Sequence, residues 1–218
     1  MRNSCRKEEK VYEMKNIETL VKKAAELKAE GLVEGQISEE LNVSEETVTW
    51  LLTHAEKAST APGPKDISVD WSAIGRSAFR LNHISEAIAD IIYETLEANE
   101  SSVDVVVGIA LSGLPIASMV ANDLSAELAV YTPSKQMIAQ ENKRAKGNLS
   151  SNFSDVREKN CIIIDDVITS GHTLEEAVEY LDEHGARINA IAVLIDKKGI
   201  DEVAGVPVVS LLKVIRVN

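Results

Sequence analysis

The hydrophobic positions along the chain follow two different rhythms, separated by a stretch containing prolines. Ahead of that stretch, "IETLVKKAAELKAEGL" (17–32) carries apolar residues at helical spacing, and "ISEELNVSEETVTWLLTHAEKA" (37–58) reads as two short helices around the turn Asn42-Val43-Ser44. Three helices are therefore predicted in front. "STAPGPKD" (59–66) holds two of the five prolines and reads as a linker, which gives one unit over 1–61 and a second over 62–218.

Beyond the linker, "DWSAIGRSAFRLNHISEAIADIIYETLEAN" (70–99) repeats Ile84, Ile88, Ile91 and Ile92 on one face, as a packed helix requires. The rhythm then changes. "VDVVVGIAL" (103–111), "ELAVYTP" (127–133), "NCIIIDD" (160–166), "INAIAVLID" (188–196) and "VPVVSLL" (206–212) are short β-branched runs, and helical patterns such as "LPIASMVANDL" and "TLEEAVEYLDEHGA" separate several of them. Apolar runs without polar alternation, interleaved with helices, predict an α/β fold with a parallel sheet covered on both faces. The long polar stretch 134–160 joins the second and third strands and reads as a functional loop beside the site.

Composition narrows the class. The chain has 218 residues, 44% of them hydrophobic and 27% charged, as in a folded globular protein. No apolar run approaches the roughly 20 residues needed to cross a bilayer, and the polar start is unlike a signal peptide, so a cytoplasmic protein without membrane contact is expected. Cys5 and Cys161 read as free thiols of a reducing compartment. Met14 opens a more convincing start, and residues 1–13 read as a misassigned start or a loose extension. The net charge of −12 argues against bulk electrostatic attraction to nucleic acid, so any DNA contact must be local.

The candidate chemistry lies in "CIIIDDVITSGHT" (161–173). Asp165 and Asp166 close an apolar run, where two like charges are costly unless a cation, a proton or a hydrogen-bonding ligand compensates them. In an open α/β sheet this strand end is where ligands bind. Thr169, Ser170, Gly171, His172 and Thr173 form the turn into the next helix, and the backbone N–H groups and hydroxyls there suit a phosphate. The acids can hold sugar hydroxyls directly or through Mg²⁺, so the pattern asks for a phosphorylated sugar.

This motif resembles the phosphoribosyl-pyrophosphate (PRPP) signature of the type I phosphoribosyltransferases. The resemblance implies that Asp165 and Asp166 serve the ribose hydroxyls, with Mg²⁺ reaching them on the ligand, and that Thr169 to Thr173 serve the 5′-phosphate. "GIALSGLPIASMVA" (108–121) resembles the family's pyrophosphate loop, with Ala110, Leu111, Ser112 and Gly113 turning amides toward the diphosphate; 134–160 would be the flap. Members acting on orotate carry a Lys-rich flap run ending in His-Gly. Here "NKRAKGNLSSNF" supplies Lys143, Arg144 and Lys146 as catalytic candidates if the chain is an enzyme, but no His precedes Gly147.

In front, "GQISEELNVSEETVTWLLT" (35–53) resembles a helix-turn-helix: Ile37, Leu41, Val43, Val48, Leu51 and Leu52 face inward and Ser44 caps the second helix. Three-helix interaction modules share this pattern. From Gly31 to His54 there are five Glu and no Lys or Arg, and residues 1–60 hold nine basic and twelve acidic residues. DNA contact would fall to Ser44, Thr47, Thr49 and Trp50, with phosphates left to Lys22, Lys23, Lys28, Lys57 and the basic start. The two units together resemble the archaeal regulators of glucose and fructose catabolism, also called orotate phosphoribosyltransferase-like proteins. That resemblance implies a winged helix-turn-helix, a transferase-like domain that senses a phosphoribosyl effector, promoter DNA as partner and a homodimer. The alternative is a nucleobase phosphoribosyltransferase that forms nucleotide and pyrophosphate from PRPP.

Overall fold

The computed structural model describes residues 17–54, 66–136 and 147–215. The expected boundary at 61 and 62, and Lys57, Lys143, Arg144 and Lys146, lie outside them. In the front unit α1 (Ile17–Ala29), α2 (Glu34–Leu41) and α3 (Glu45–His54) enclose Ala24, Leu27, Ile37, Leu41, Val43, Val48 and Leu51. Helix α2 ends where Asn42 turns left-handed at φ 52°, a conformation asparagine tolerates, and Val43 then re-enters the core. Ser44 caps α3, its hydroxyl accepting from the Thr47 N–H at 3.2 Å. The arrangement is helix-turn-helix-like, and among the described residues of this unit there is no strand to form a wing.

The second unit runs through α4 (Ser72–Gly75), α5 (Ala78–Ala98), β1 (Val105–Ile109), α6 (Gly113–Asp123), β2 (Glu127–Thr132), a 3-10 turn (Ser134–Gln136) and β3 (Asn148–Leu149). It continues with β4 (Asn160–Ile168), α7 (His172–Glu183), β5 (Arg187–Asp196), β6 (Glu202–Val203) and β7 (Val206–Lys213). The sheet order is β3-β2-β1-β4-β5-β7-β6; β2, β1, β4, β5 and β7 are mutually parallel and the short β3 and β6 pair antiparallel at the two edges.

Pleating divides each central run between two cores. In β4, Cys161 and Ile163 pack with Leu174, Ala177 and Leu181 of α7, whereas Ile162 and Ile164 pack with Ile88 and Ile92 of α5 and Ile116 and Val120 of α6. This is why the strands are apolar throughout. Cys161 is a free buried thiol whose pKa burial pushes up to about 12, which leaves it unreactive. Among the described residues no helix is long and apolar enough to cross a membrane.

The segment after the linker fastens the front unit to the sheet. Asp66 accepts from the Ser44 N–H at 2.7 Å and the Thr47 hydroxyl at 2.8 Å, and pairs with Lys197 at 3.1 Å. Lys197, just past β5, also donates to the Asn42 carbonyl at 2.6 Å. Burial alone would raise the Asp66 carboxyl; the bonds from Ser44, Thr47 and Ile67 and the charge of Lys197 outweigh it and hold the carboxyl below its ordinary range.

Ile163 is fully buried in the central strand. Ile163→Ala is therefore expected to lower unfolding stability by about 2–5 kcal/mol in urea titration, and a loss below about 1 kcal/mol would contradict this placement of the core.

Candidate ligand cleft

The chain leaves β1 outward to β2 and returns to β4 on the other side of β1, before continuing outward to β5. The loops that follow β1 and β4 therefore diverge, and a crevice opens between them. Both loops singled out in the sequence border it. One boundary differs from expectation: β4 continues past the acids to Ile168, with Val167 paired to Ile195 and Ile168 to Asp196. Asp165 and Asp166 thus lie inside the last residues of the strand, two residues short of its end at Ile168.

Both acids are buried, Asp165 at 9% exposure and Asp166 at 6%. Asp165 accepts from the Asp166 N–H at 2.9 Å, and Asp166 accepts from the Trp71 indole N–H at 2.9 Å. Burial raises the Asp165 carboxyl well above its ordinary 3.8, and the charges of Asp166 and Glu39 raise it further; the Asp166 N–H and Lys135 offset only part of this. Burial also raises Asp166, against hydrogen bonds to Asp165, Trp71, the Val167 N–H and Ser112. The pair lacks compensating charge, so a cation or sugar hydroxyls brought there would be favoured.

The turn beyond β4 is built for close approach. Thr169 and Ser170 are half-buried, Gly171 has φ +92°, and α7 starts at the exposed His172, with Thr173 half-buried behind it. Lys198 donates to the Ser170 carbonyl at 2.5 Å and fixes the turn from β5. Across the crevice, the Ala110–Leu111 peptide is cis, Leu111 is 74% exposed, and Ser112 and Gly113 begin α6. A Cβ on Gly113 would lie 2.8 Å from the Asp165 Cα, so only glycine lets the start of α6 approach the end of β4 this closely.

Several contributors were not foreseen from the sequence. Glu39 of α2 pairs with Lys135 at 2.8 Å and accepts from Gln136 at 2.5 Å, and the same Gln136 amide donates to the Ala110 carbonyl at 2.5 Å. Glu176 of α7 accepts from the Ser134 N–H and hydroxyl on one side of the flap and the Gly147 N–H on the other, at 2.9, 2.6 and 3.2 Å. Glu39 and Asn42 of the front unit line the cavity beside Asp165 and Asp166. None of these pairings has a local signal, because each joins residues far apart in the chain.

The residues expected to meet DNA fall into two groups. Thr49 is exposed on α3, its hydroxyl donating to Glu34 at 2.9 Å, and Trp50 is half-buried. Thr47, expected to face DNA, is only 4% exposed, with its hydroxyl committed to Asp66, and Ser44 is taken up by the cap it forms; neither presents a free group outward in this arrangement.

Residues 77–215 match the model of the phosphoribosyl transferase domain. Over 94% of its length the chain is 68% identical to the whole of "Transcriptional regulator GfcR" of Methanothrix thermoacetophila, and over the same share 55% identical to the whole of "Transcriptional regulator GfcR 1" of Methanosarcina barkeri. Among solved structures, orotate phosphoribosyltransferase from Aeropyrum pernix superposes with a TM-score of 0.54 at 20% identity, over 71% of this chain and 82% of that one. Adenine phosphoribosyltransferase from Thermoanaerobacter pseudethanolicus gives 0.53 at 15% identity, over 70% and 90%. These two likenesses show the fold.

The raised acids set a pH dependence. A carboxyl that keeps its proton longer when folded makes the folded state bind more protons above 3.8, so its contribution destabilises progressively as the pH rises from there. Asp165→Asn removes that penalty. The ligand-free variant is expected to melt higher than the parent at pH 7, with the difference shrinking toward pH 4; a lower melting temperature at pH 7 would contradict the uncompensated pair.

Proposed function

The chain belongs to the family of transcriptional regulators named GfcR and carries a phosphoribosyl transferase domain, and from that premise we propose that it is a DNA-binding regulator that senses a phosphoribosyl ligand. The observation that carries the reading is the buried acid pair lying beside the Gly171 turn in the crevice between β1 and β4. PRPP, or a related phosphoribosyl compound, supplies what this arrangement lacks. Its ribose hydroxyls bond to Asp165 and Asp166, its 5′-phosphate sits on Thr169 to Thr173, and its diphosphate meets the Ala110 to Gly113 loop. Mg²⁺ carried on the diphosphate adds positive charge near the acids.

The front unit reads promoter DNA as part of a homodimer facing a two-part site. Lys22, Lys23 and Lys28 of α1 offer phosphate contacts and Thr49 and Trp50 of α3 offer base contacts; few cations imply a shallow dependence on salt. Sensing is favoured over orotate transfer because no His precedes Gly147, a departure from the His-Gly flap pattern of the orotate enzymes.

Two measurements check this. PRPP with Mg²⁺ at one hundred times its dissociation constant should stabilise the protein by roughly 2.7 kcal/mol, and Asp165→Asn with Asp166→Asn should abolish the shift. Genomic fragments selected with the protein should include a discrete promoter set whose recovery changes with PRPP. Indifference to millimolar PRPP and nucleoside monophosphates would overturn the ligand assignment, and turnover of orotate or a purine base near ~10 s⁻¹ would restore the enzyme reading.

A further inference from the structure

The acidity of residues 31–54 is left unexplained by a DNA-binding role, and their position in the fold accounts for it. Glu39 and Asn42 project over the acid pair, and the space they leave beside Asp165, Asp166, Thr169 and Gly171 is only about 20 Å³. That is room for about one water molecule. A ribose ring bridging the acids and the phosphate turn does not fit there, while on the Trp71 and Ser112 side a cavity of about 490 Å³ also reaches Asp166. Next to it, Glu45 and Glu46 of α3 line a cavity of about 210 Å³ shared with Thr169, Ser170 and Thr173, so the phosphate turn opens toward two front-unit carboxylates.

The contacts that hold this arrangement are charged. Glu39 engages Lys135 and, through Gln136, the Ala110 carbonyl; Asp66 engages Lys197, which also holds the Asn42 carbonyl. The front unit thus offers carboxylates to the side of the cleft that a phosphorylated ligand would occupy. Its α3 N-terminus, the part of a recognition helix that meets base edges, is turned toward the phosphate turn.

Resting on the phosphoribosyl reading of the cleft, we infer that the helix-turn-helix is its own domain's plug: docked α2 and α3 and a bound phosphoribosyl ligand exclude each other. Ligand entry displaces Glu39 by steric overlap and repels Glu45 and Glu46, and the lifted unit is the form that exposes α3 to DNA. The ligand therefore promotes DNA binding. The acidic character of 31–54 is the complement of Lys135, through Glu39, and a stand-in for the ligand's negative charge.

The test locks the plug. A Cβ on Gly35 would lie 3.1 Å from the Lys135 Cβ, near the roughly 3.5–4.5 Å that a disulfide spans. In full-length chain carrying Cys5→Ser, Gly35→Cys and Lys135→Cys, calorimetric titration with PRPP and Mg²⁺, and separately with ribose 5-phosphate, is run oxidised and reduced. Oxidised protein should bind at least about tenfold more weakly, and reduction of the same sample should restore affinity. Glu39→Gln with Glu45→Gln and Glu46→Gln should bind about fivefold or more tightly than the parent. Equal binding in both redox states would overturn the plug while leaving the cleft assignment standing. No binding of either compound by any form, including the triple Gln variant, would overturn the cleft assignment and the plug with it.

Discussion

Two adjacent carboxyl groups, buried in the last residues of a central strand, set the terms for everything around them. Taking either charge from water is costly, and the pair repels itself. Pairing with β5, which joins Asp165 to Val193 and Val167 to Ile195, holds the acids within the strand, while β1 pairs with β4 only as far as Ile164. The surroundings compensate unequally: Asp166 receives the Trp71 indole and Ser112, whereas Asp165 has the neighbouring N–H and a distant Lys135 set against Glu39. Stability is forgone at the place where a polyhydroxyl, cation-bearing ligand would recover it.

The same constraint gives the front unit its meaning. A three-helix module with five Glu and no Lys or Arg from Gly31 to His54 is poorly suited to long-range attraction by DNA. Placed across the cleft, it is held by the Glu39–Lys135 ion pair, by the bond from Lys197 to the Asn42 carbonyl and by the bonds of Ser44 and Thr47 to Asp66. Lys197 has a side chain only 5% exposed; burial lowers its pKa, and Asp66 opposes that effect. A buried lysine of this kind makes the attachment specific in register, since removing Asp66 would strand it unpaired.

The body was legible in the sequence because its strands and helices announce themselves locally. The five apolar runs became β1, β2, β4, β5 and β7, and the spacing of Ile88 and Ile92 placed α5 against the sheet. The two-residue edge strands β3 and β6 are too short to leave a periodic signal. The extension of β4 to Ile168 escaped because Asp-Asp reads as a strand end when its pairing partner, β5, is not in view. The loops of the cleft were legible as a motif, but Trp71, Gln136, Glu176 and Lys197 were not: each acts through a partner tens of residues away, and no spacing rule encodes such a pair. Thr47 shows the converse. Its place on a helix after a turn suggested an outward face, and the tertiary contact with Asp66 turned it inward.

The central claim is that ligand and DNA act on one equilibrium between a docked and a lifted front unit, and linkage makes it measurable from either side. The most direct measurement is the affinity of the full-length protein for PRPP with Mg²⁺, taken with and without a saturating operator duplex. DNA that selects the lifted unit should tighten PRPP binding by about 5- to 150-fold, the same factor by which PRPP tightens operator binding. Equal PRPP affinity in the two conditions, for a duplex the protein demonstrably binds, would contradict the account.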